Sequence, residues 1–104
     1  MAEPLPLSGV RVADFSWYGA GPIAARTLAA FGAEVIKVES EVRLDGLRLT
    51  QPVPAGKEGQ GPNLSGYFNN FNAGKLSFTL NLGHPKARDV ALRLIARSDV
   101  MLEN

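Results

Sequence analysis

In the first 40 residues, a short β-prone run and a second run rich in β-branched side chains flank a segment with helical periodicity. Residues 11–15 and 33–39 predict two strands. Between them, apolar and small side chains recur at helical spacing and predict a helix with one less polar face. The residues of that face are Ile23, Thr27, Leu28 and Phe31. Pro22 suits the first position of this helix, and Gly32 suits the turn that ends it. Two strands joined through a helix are normally parallel, with a right-handed crossover.

The last third of the chain repeats this order of elements. Residues 76–82 alternate between apolar and polar side chains, which predicts a strand. A second helix follows, and we place Pro85 at its first position. Its predicted buried stripe is Ala87, Val90, Ala91, Leu94 and Ile95. Residues 100–102 begin a further strand. Upstream of this repeat, residues 67–71 predict one helical turn whose three aromatic side chains, Tyr67, Phe68 and Phe71, pack inward.

Two segments lack such a pattern. Residues 1–8 contain two prolines and predict a poorly ordered lead-in. Residues 40–66 are rich in proline and glycine and predict a long loop. That loop is either a substrate-side loop or a mobile excursion, and the sequence favours neither.

The order β-α-β, loop, β-α-β predicts an α/β fold with a Rossmann-like open parallel sheet. Two helices for about four strands leave part of that sheet uncovered. The chain also stops at Asn104, directly after a predicted core strand. We therefore interpret residues 1–104 as an incomplete domain, the N-terminal part of a larger one.

Composition narrows the class of protein. Hydrophobic residues make up 45% of the 104 residues and charged residues 20%, which is typical of a folded globular protein. The formal net charge of +1 gives no long-range attraction to nucleic acid or to an anionic membrane. The absence of cysteine excludes disulfides and thiolate zinc sites. No apolar run approaches the roughly 20 residues that cross a bilayer. We find no secretory signal at the start and expect a cytoplasmic protein.

The turn between the first strand and the first helix carries the main candidate motif. Residues 19–24 fit the relaxed dinucleotide fingerprint G-x-G-x-x-G/A, and Glu39 stands 20 residues after Gly19, where a ribose-binding acid is expected. Against this, Pro22 removes one N–H that would face a pyrophosphate, and the Trp17-Tyr18 pair lengthens the turn. Three interpretations stay open: a tight turn alone, a phosphate site, or a nicotinamide dinucleotide site.

The remaining polar residues give weaker indications of a functional site. Gly74-Lys75 resembles the end of a P-loop, but Leu76 replaces the required Ser or Thr and a strand follows, so we reject that motif. The single histidine, His84, cannot form a histidine cluster for a metal. We interpret Asp14 as structural, and Lys37 as a solvated or ion-paired side chain.

Taken in order, these segments resemble the N-terminal region of the class III CoA-transferases, the group that includes formyl-CoA transferase, carnitine CoA-transferase and α-methylacyl-CoA racemase. The resemblance spans residues 7–104. It is carried by residues 7–15, 20–22, 31–39, 67–68, 71–72, 74–75, 77–82 and 98–104. Each piece is modest by itself, whereas the ordered set is highly specific.

The resemblance implies an enzyme that moves CoA between carboxylic acids, or a racemase that acts next to a thioester. It implies acyl-CoA and carboxylic acid substrates, no tightly bound cofactor, and an interlocked homodimer. The family's covalent catalyst is an aspartate that falls beyond Asn104, so no catalytic residue is assigned in this chain. The positions that match the family's CoA cradle are Gly19, Ala20, Leu80, Asn81, Leu82, Gly83 and Asn104.

Departures from the family pattern leave other functions open. Many relatives have Gln or Leu at the position of Gly19, and some have Arg at that of Ser40. We expect Arg43 or Arg48 to replace that arginine, because guanidinium matches phosphate geometry. From their size, we expect Trp17 and Tyr18 to shape the acyl side of the pocket. The alternatives to a CoA-transferase fragment are a nicotinamide-dependent oxidoreductase fragment and a non-catalytic truncated subunit.

Overall fold

The computed structural model describes residues 3–104, which form an α/β fold around one open sheet. The strands are β1 (Arg11–Asp14), β2 (Glu34–Glu39), β3 (Leu76–Thr79) and β4 (Val100–Leu102). The helices are α1 (Ala20–Ala30), α2 (Gly66–Phe71) and α3 (Ala87–Ala96). All strand pairs are parallel, in the order β3-β2-β1-β4. The predicted α/β class and open parallel sheet are confirmed.

Both helices that were predicted to begin at a proline begin elsewhere. Helix α1 starts at Ala20, with Gly19 as its N-cap, so Pro22 occupies the third helical position. Proline is tolerated there because the first N–H groups of a helix have no acceptor within the helix. Helix α3 starts at Ala87, after a turn in which the backbone N–H of Ala87 donates to His84 O. Pro85 belongs to that turn.

The buried face of α1 differs from the predicted one. Ile23 and Phe31 are 37% and 53% exposed. The helix instead buries Gly21, Pro22 and Ala25. These residues are small or compact, so the α1 backbone lies close to β1 and β2. Ala25 joins Val12, Ala33 and Val35 in the core, and Leu28 packs beside them.

The remaining helices and β3 follow the predicted pattern in part. In α3, Ala87 and Ala91 are buried, and the other predicted stripe residues are half-buried. In α2, Phe68 is buried whereas Tyr67 is 50% exposed, so the prediction that Tyr67 packs inward is wrong. Strand β3 ends at Thr79 rather than continuing to Leu82, which is exposed.

The predicted lead-in and long loop contain local structure. Leu7 N donates to Phe31 O at 2.8 Å, and Val10 N donates to Leu7 O at 3.0 Å, so a turn joins the start of the chain to the end of α1. Met1 and Ala2 of the predicted lead-in lie outside the described residues. Within residues 40–66, Gly46–Leu49 forms a 3-10 helix capped by the side chain of Asp45. No helix between residues 3 and 104 is long and apolar enough to cross a membrane.

The chain is more open than a self-contained domain of its mass. Its accessible surface is 6771 Å², against about 5,700 Å² for a compact protein of this mass. Its radius of gyration is 14.7 Å, against about 13 Å for a compact domain of this length. Strand β4 and helix α3 contribute exposed apolar side chains, including Leu92, Val100 and Met101. Part of the sheet and of α3 is therefore left uncovered by residues 3–104.

Candidate functional site

A cavity of about 920 Å³ opens at the carboxyl ends of all four strands. The last residues of β2 and β4 and the segments that follow all four strands line it: Phe15, Trp17 and Tyr18; Val38, Glu39, Ser40, Val42 and Arg43; Leu80, Asn81, Leu82 and Gly83; Met101, Glu103 and Asn104. The lining is mostly apolar, with a few polar groups at its rim. Its volume falls within the range of small-molecule and cofactor sites. Parallel strands concentrate such sites at this edge.

The predicted site residues fall into two groups. Leu80, Asn81, Leu82, Gly83 and Asn104 line the cavity. Gly19 and Ala20 do not, although they follow Tyr18, which does. The fingerprint glycines also differ from each other in their surroundings, as a hypothetical Cβ on each one shows.

A Cβ on Gly19 would meet no atom within 4 Å. A Cβ on Gly21 would overlap the Cβ and Oγ of Ser16, so Gly21 is required for close packing of α1 against the turn. Gly21 and Pro22 are buried in the body of the fold. This second glycine therefore has a packing role that needs no ligand.

The β1 turn, residues 15–19, is held by side chains from three separate segments. The backbone N–H groups of Ser16, Trp17 and Tyr18 each donate to a side-chain oxygen. The acceptors are Asp14 Oδ1 at 2.9 Å, Asn104 Oδ1 at 3.0 Å and Asp45 Oδ1 at 3.1 Å. Consecutive N–H groups in a turn are a common anion-binding arrangement. Here these donors are already used inside the protein.

Tyr18 adopts the left-handed backbone conformation, with φ of 63°. This conformation is uncommon for a residue other than glycine and costs free energy. The Tyr18 ring lies directly against Gly46, where an added Cβ would overlap the hydroxyl group. Gly46 thus leaves room for the ring of Tyr18, which is 54% exposed and forms part of the cavity wall.

Beneath the turn, Asp14 and Lys75 form a buried ion pair. Lys75 Nζ lies 2.8 Å from Asp14 Oδ2, and the two side chains are 2% and 0% exposed. Asp14 also accepts from the hydroxyl of Ser16, and Lys75 donates to Asn72 Oδ1 at 2.8 Å. Burial lowers the pKa of Lys75, whereas the neighbouring Asp14 carboxylate opposes that shift. The expectation that Asp14 is structural agrees with this geometry.

A second buried pair joins β2 to the loop after it. Lys37 Nζ lies 2.9 Å from Asp45 Oδ2 and 3.0 Å from Ser16 O. The Lys37 and Asp45 side chains are 5% and 0% exposed. Asp45 Oδ1 accepts from the N–H groups of Tyr18 and Leu47. Lys37 is thus ion-paired, one of its two expected states, and Asp45 ties the loop to the β1 turn.

Glu39 is paired in the same way. Arg48 donates to both of its carboxylate oxygens at 2.7 Å, and Asp45 N donates to it at 2.8 Å. Burial alone would raise the pKa of Glu39, but the hydrogen bonds from Arg48 and Asp45 N and the charges of Arg48 and Lys37 outweigh it and lower the pKa. Glu39 lines the cavity with both oxygens already engaged.

Arg43 is placed differently from Arg48. Arg48 is committed to Glu39 and stacks over Phe68, with its Cζ 3.7 Å from the ring centroid. Arg43 is exposed and lies at the cavity, 5.2 Å from the Trp17 ring centroid. Among the described residues that line the cavity, Arg43 is the one basic side chain. Of the two arginines that were expected to replace the family's arginine, Arg43 is the one placed to reach a ligand.

Sequence reasoning did not find three of these contacts. The sequence places Lys75 in a rejected P-loop and in a segment that carries the family resemblance, but it predicts no partner for Lys75 and no role for Asp45. The signal that Asp45 offered was local, because Asp is one of the preferred residues at a helix N-cap. The pairing of Asp14 with Lys75 bridges 61 residues and left no local signal. Asn104, which matches the family's CoA cradle, lines the cavity, and its carboxamide contacts the Trp17 backbone.

Comparison with known proteins identifies the family to which the chain is similar. The sequence profile described as CoA-transferase family III matches residues 7–104. The chain is 41% identical over 98 residues to the probable fatty acyl-CoA transferase Rv3272 of Mycobacterium tuberculosis, which covers 94% of this chain and 24% of that protein. It is 40% identical over 100 residues to the succinate–glutarate CoA-transferase of Agrobacterium fabrum, covering 95% of this chain and 25% of that protein.

Solved structures agree with the sequence matches. The crystal structure of a CAIB/BAIF family protein from Brucella suis superposes with a TM-score of 0.81 at 35% identity. That superposition covers 98% of this chain and 26% of the other. The chain thus spans about a quarter of the length of the relatives it matches.

Proposed function

The chain belongs to CoA-transferase family III, and we propose that it supplies part of the CoA-binding wall of an acyl-CoA:carboxylate CoA-transferase. The cavity at the strand ends carries this proposal. It combines apolar walls, which suit a nucleotide base and an acyl chain, with the guanidinium of Arg43, which has no acidic partner within residues 3–104. Arg43 would contact a phosphate of CoA, because guanidinium pairs with phosphate through charge-assisted hydrogen bonds.

In the proposed enzyme, the reactive carboxylate comes from polypeptide outside residues 1–104. No aspartate among the described residues lines the cavity. Asp14 and Asp45 are fully buried and each is paired with a lysine. If either carboxylate moved away to attack an acyl group, its lysine would be left buried without a counter-charge, which costs several kcal/mol. In this proposal, the rest of the polypeptide brings the nucleophilic aspartate to the CoA thioester.

The partners follow from the same proposal. They are an acyl-CoA, a carboxylic acid acceptor and a second copy of the chain in an interlocked homodimer. We place the enzyme in the cytoplasm, and the proposal needs no tightly bound cofactor. The surface of 6771 Å² and the exposed apolar side chains of α3 and β4 support a role for further polypeptide in covering this face. We place Leu80, Asn81, Leu82 and Gly83 on the wall against which CoA lies, with Gly19 and Ala20 behind the turn.

Calorimetric titration of the full-length protein with CoA, together with an assay of CoA exchange between two acids, tests this function. We expect CoA to bind, and Arg43→Ala to weaken binding by about tenfold or more, the scale of one hydrogen bond to a charged group. Arg26→Ala is the matched control, because Arg26 is an arginine that contacts Asn70 away from the cavity. Binding of NADH with no response to CoA would refute the proposal. CoA binding without exchange between any pair of acids would favour a non-catalytic subunit.

A further inference from the structure

The side chain of Asn104 forms a two-point contact with the backbone of Trp17. Trp17 N donates to Asn104 Oδ1 at 3.0 Å, and Asn104 Nδ2 donates to Trp17 O at 3.0 Å. A carboxamide has one acceptor group and one donor group, and both are directed here at a single residue 87 positions away. This pairing resembles one rung of a β-ladder. It leaves the polar end of Asn104 facing the protein backbone.

Trp17, the residue that Asn104 contacts, forms part of the cavity wall. The Trp17 indole lines the cavity, and the Arg43 guanidinium stacks on it at 5.2 Å from the ring centroid. The next residue, Tyr18, adopts a left-handed backbone conformation that needs support from its surroundings. Asp45 secures Tyr18 from one side, and Asn104 secures Trp17 from the other. The orientation of the indole therefore depends on a contact between the ends of β1 and β4.

We propose that Asn104 is a positioning residue for CoA, which acts by holding the Trp17 indole and, through it, the Arg43 guanidinium in the cavity wall. This inference rests on the proposed function. It revises the expectation, based on size alone, that Trp17 shapes the acyl side of the pocket. Because the Arg43 guanidinium stacks on the indole, the inference assigns this wall to the nucleotide part of CoA, which offers an aromatic base for stacking and phosphates for the guanidinium. The alternative is that Asn104 contacts CoA directly with its own carboxamide.

A double-mutant cycle in the full-length protein separates these two roles. Asn104→Ala alone is expected to raise the dissociation constant for CoA by about tenfold, the scale of two net hydrogen bonds. If Asn104 acts through the indole, the same substitution has no further effect once Trp17→Ala has removed the ring. In a Trp17→Phe background, an aromatic wall remains on the same backbone, so Asn104→Ala should again weaken binding. Effects that multiply in all backgrounds would overturn the inference and assign Asn104 to direct contact.

Steady-state kinetics supplies a second readout. If Asn104→Ala lets the Trp17 indole lose its orientation, KM for the acyl-CoA should rise. The value of kcat should stay within about twofold of wild type, because the nucleotide is remote from the reacting carbonyl. Asn69→Ala is a matched control, since the Asn69 amide donates to Asn63 O at 3.1 Å outside the cavity lining. It should leave KM unchanged. A fall in kcat with KM unchanged in the Asn104 variant would contradict the inference.

Two safeguards keep the test decisive. If Asn104→Ala does not fold, judged by thermal unfolding, Asn104→Asp replaces it. The aspartate is nearly isosteric and still accepts from Trp17 N, but it cannot donate to Trp17 O. The failure of the proposed function is distinguishable, because wild-type protein would then not bind CoA at all. If wild-type protein binds CoA and the Asn104→Ala variant binds it equally well, only the positioning role of Asn104 is refuted.

Discussion

Replacing Lys75 by methionine tests whether the buried ion pair supports the β1 turn. Lys75→Met keeps the apolar stem of the side chain but removes the ammonium that lies 2.8 Å from Asp14 Oδ2. Asp14 is then left with no cation, in a position where its side chain is 0% exposed. It retains the donors of Ser16, which stabilise a carboxylate only in part.

Removing one partner of a buried ion pair costs about 3–5 kcal/mol, because the remaining charge is buried and unpaired. We expect the lower end of this range, about 3 kcal/mol, since Ser16 continues to donate to Asp14. The lowered pKa of Lys75, caused chiefly by burial, shows that burying its charge is itself unfavourable. The pair as a whole therefore contributes much less to stability than the single substitution removes.

Urea unfolding of the full-length protein measures this loss, with Arg11→Met as the control. Arg11 pairs with Glu34 in the same sheet, but those side chains are 40% and 45% exposed. Exposed pairs contribute about 0–1 kcal/mol, so the control should lose no more than that. Adding Asp14→Asn to Lys75→Met should recover part of the lost stability, because the buried charge is gone. Equal losses in the Lys75 and Arg11 variants would refute the reasoning.

Three further predictions concern the β1 turn and the residues packed around the cavity. Gly21→Ala should destabilise the protein by about 1–3 kcal/mol through overpacking, whereas Gly19→Ala should leave the free energy of unfolding within about 1 kcal/mol, both measured by denaturation. Gly46→Ala should weaken CoA binding by displacing the Tyr18 ring, and a Tyr18→Ala background should abolish that effect in calorimetry. Glu39→Gln should lose stability relative to wild type above pH 4.5, and the difference should shrink as the pH falls through the lowered pKa of Glu39.

The local pattern predicted the strands well, because alternation and β-branching are direct signals of extended backbone. The parallel order followed from the helices between strands. The face of α1 was predicted wrongly for a physical reason. Apolarity favoured Ile23 and Phe31, whereas close approach to the sheet selected the smaller Gly21 and Ala25. Periodicity records which side chains are apolar, and packing distance decides which of them is buried.

The candidate site divides in the same way. Leu80 to Gly83 line the cavity, because the carboxyl ends of parallel strands meet at one edge, and their contact with CoA stays a prediction. The pairing of Lys75 with Asp14, and of Asn104 with Trp17, joins segments 61 and 87 residues apart. A single sequence contains no local signal for such contacts. They arise only when the sheet places β4 beside β1 and β3, which follows Lys75, one strand away from β1.

The fingerprint glycines illustrate how a motif can persist without its usual ligand chemistry. A dinucleotide turn works because its N–H groups and helix N-terminus face the pyrophosphate. In this chain the N–H groups of residues 16–18 donate to Asp14, Asn104 and Asp45. The expected ribose acid, Glu39, has both oxygens occupied by Arg48. A nicotinamide dinucleotide would have to displace four internal partners before gaining its own contacts. A ligand recognised by the cavity walls and Arg43 displaces none, and this asymmetry supports the proposed CoA site over a dinucleotide site at the fingerprint turn.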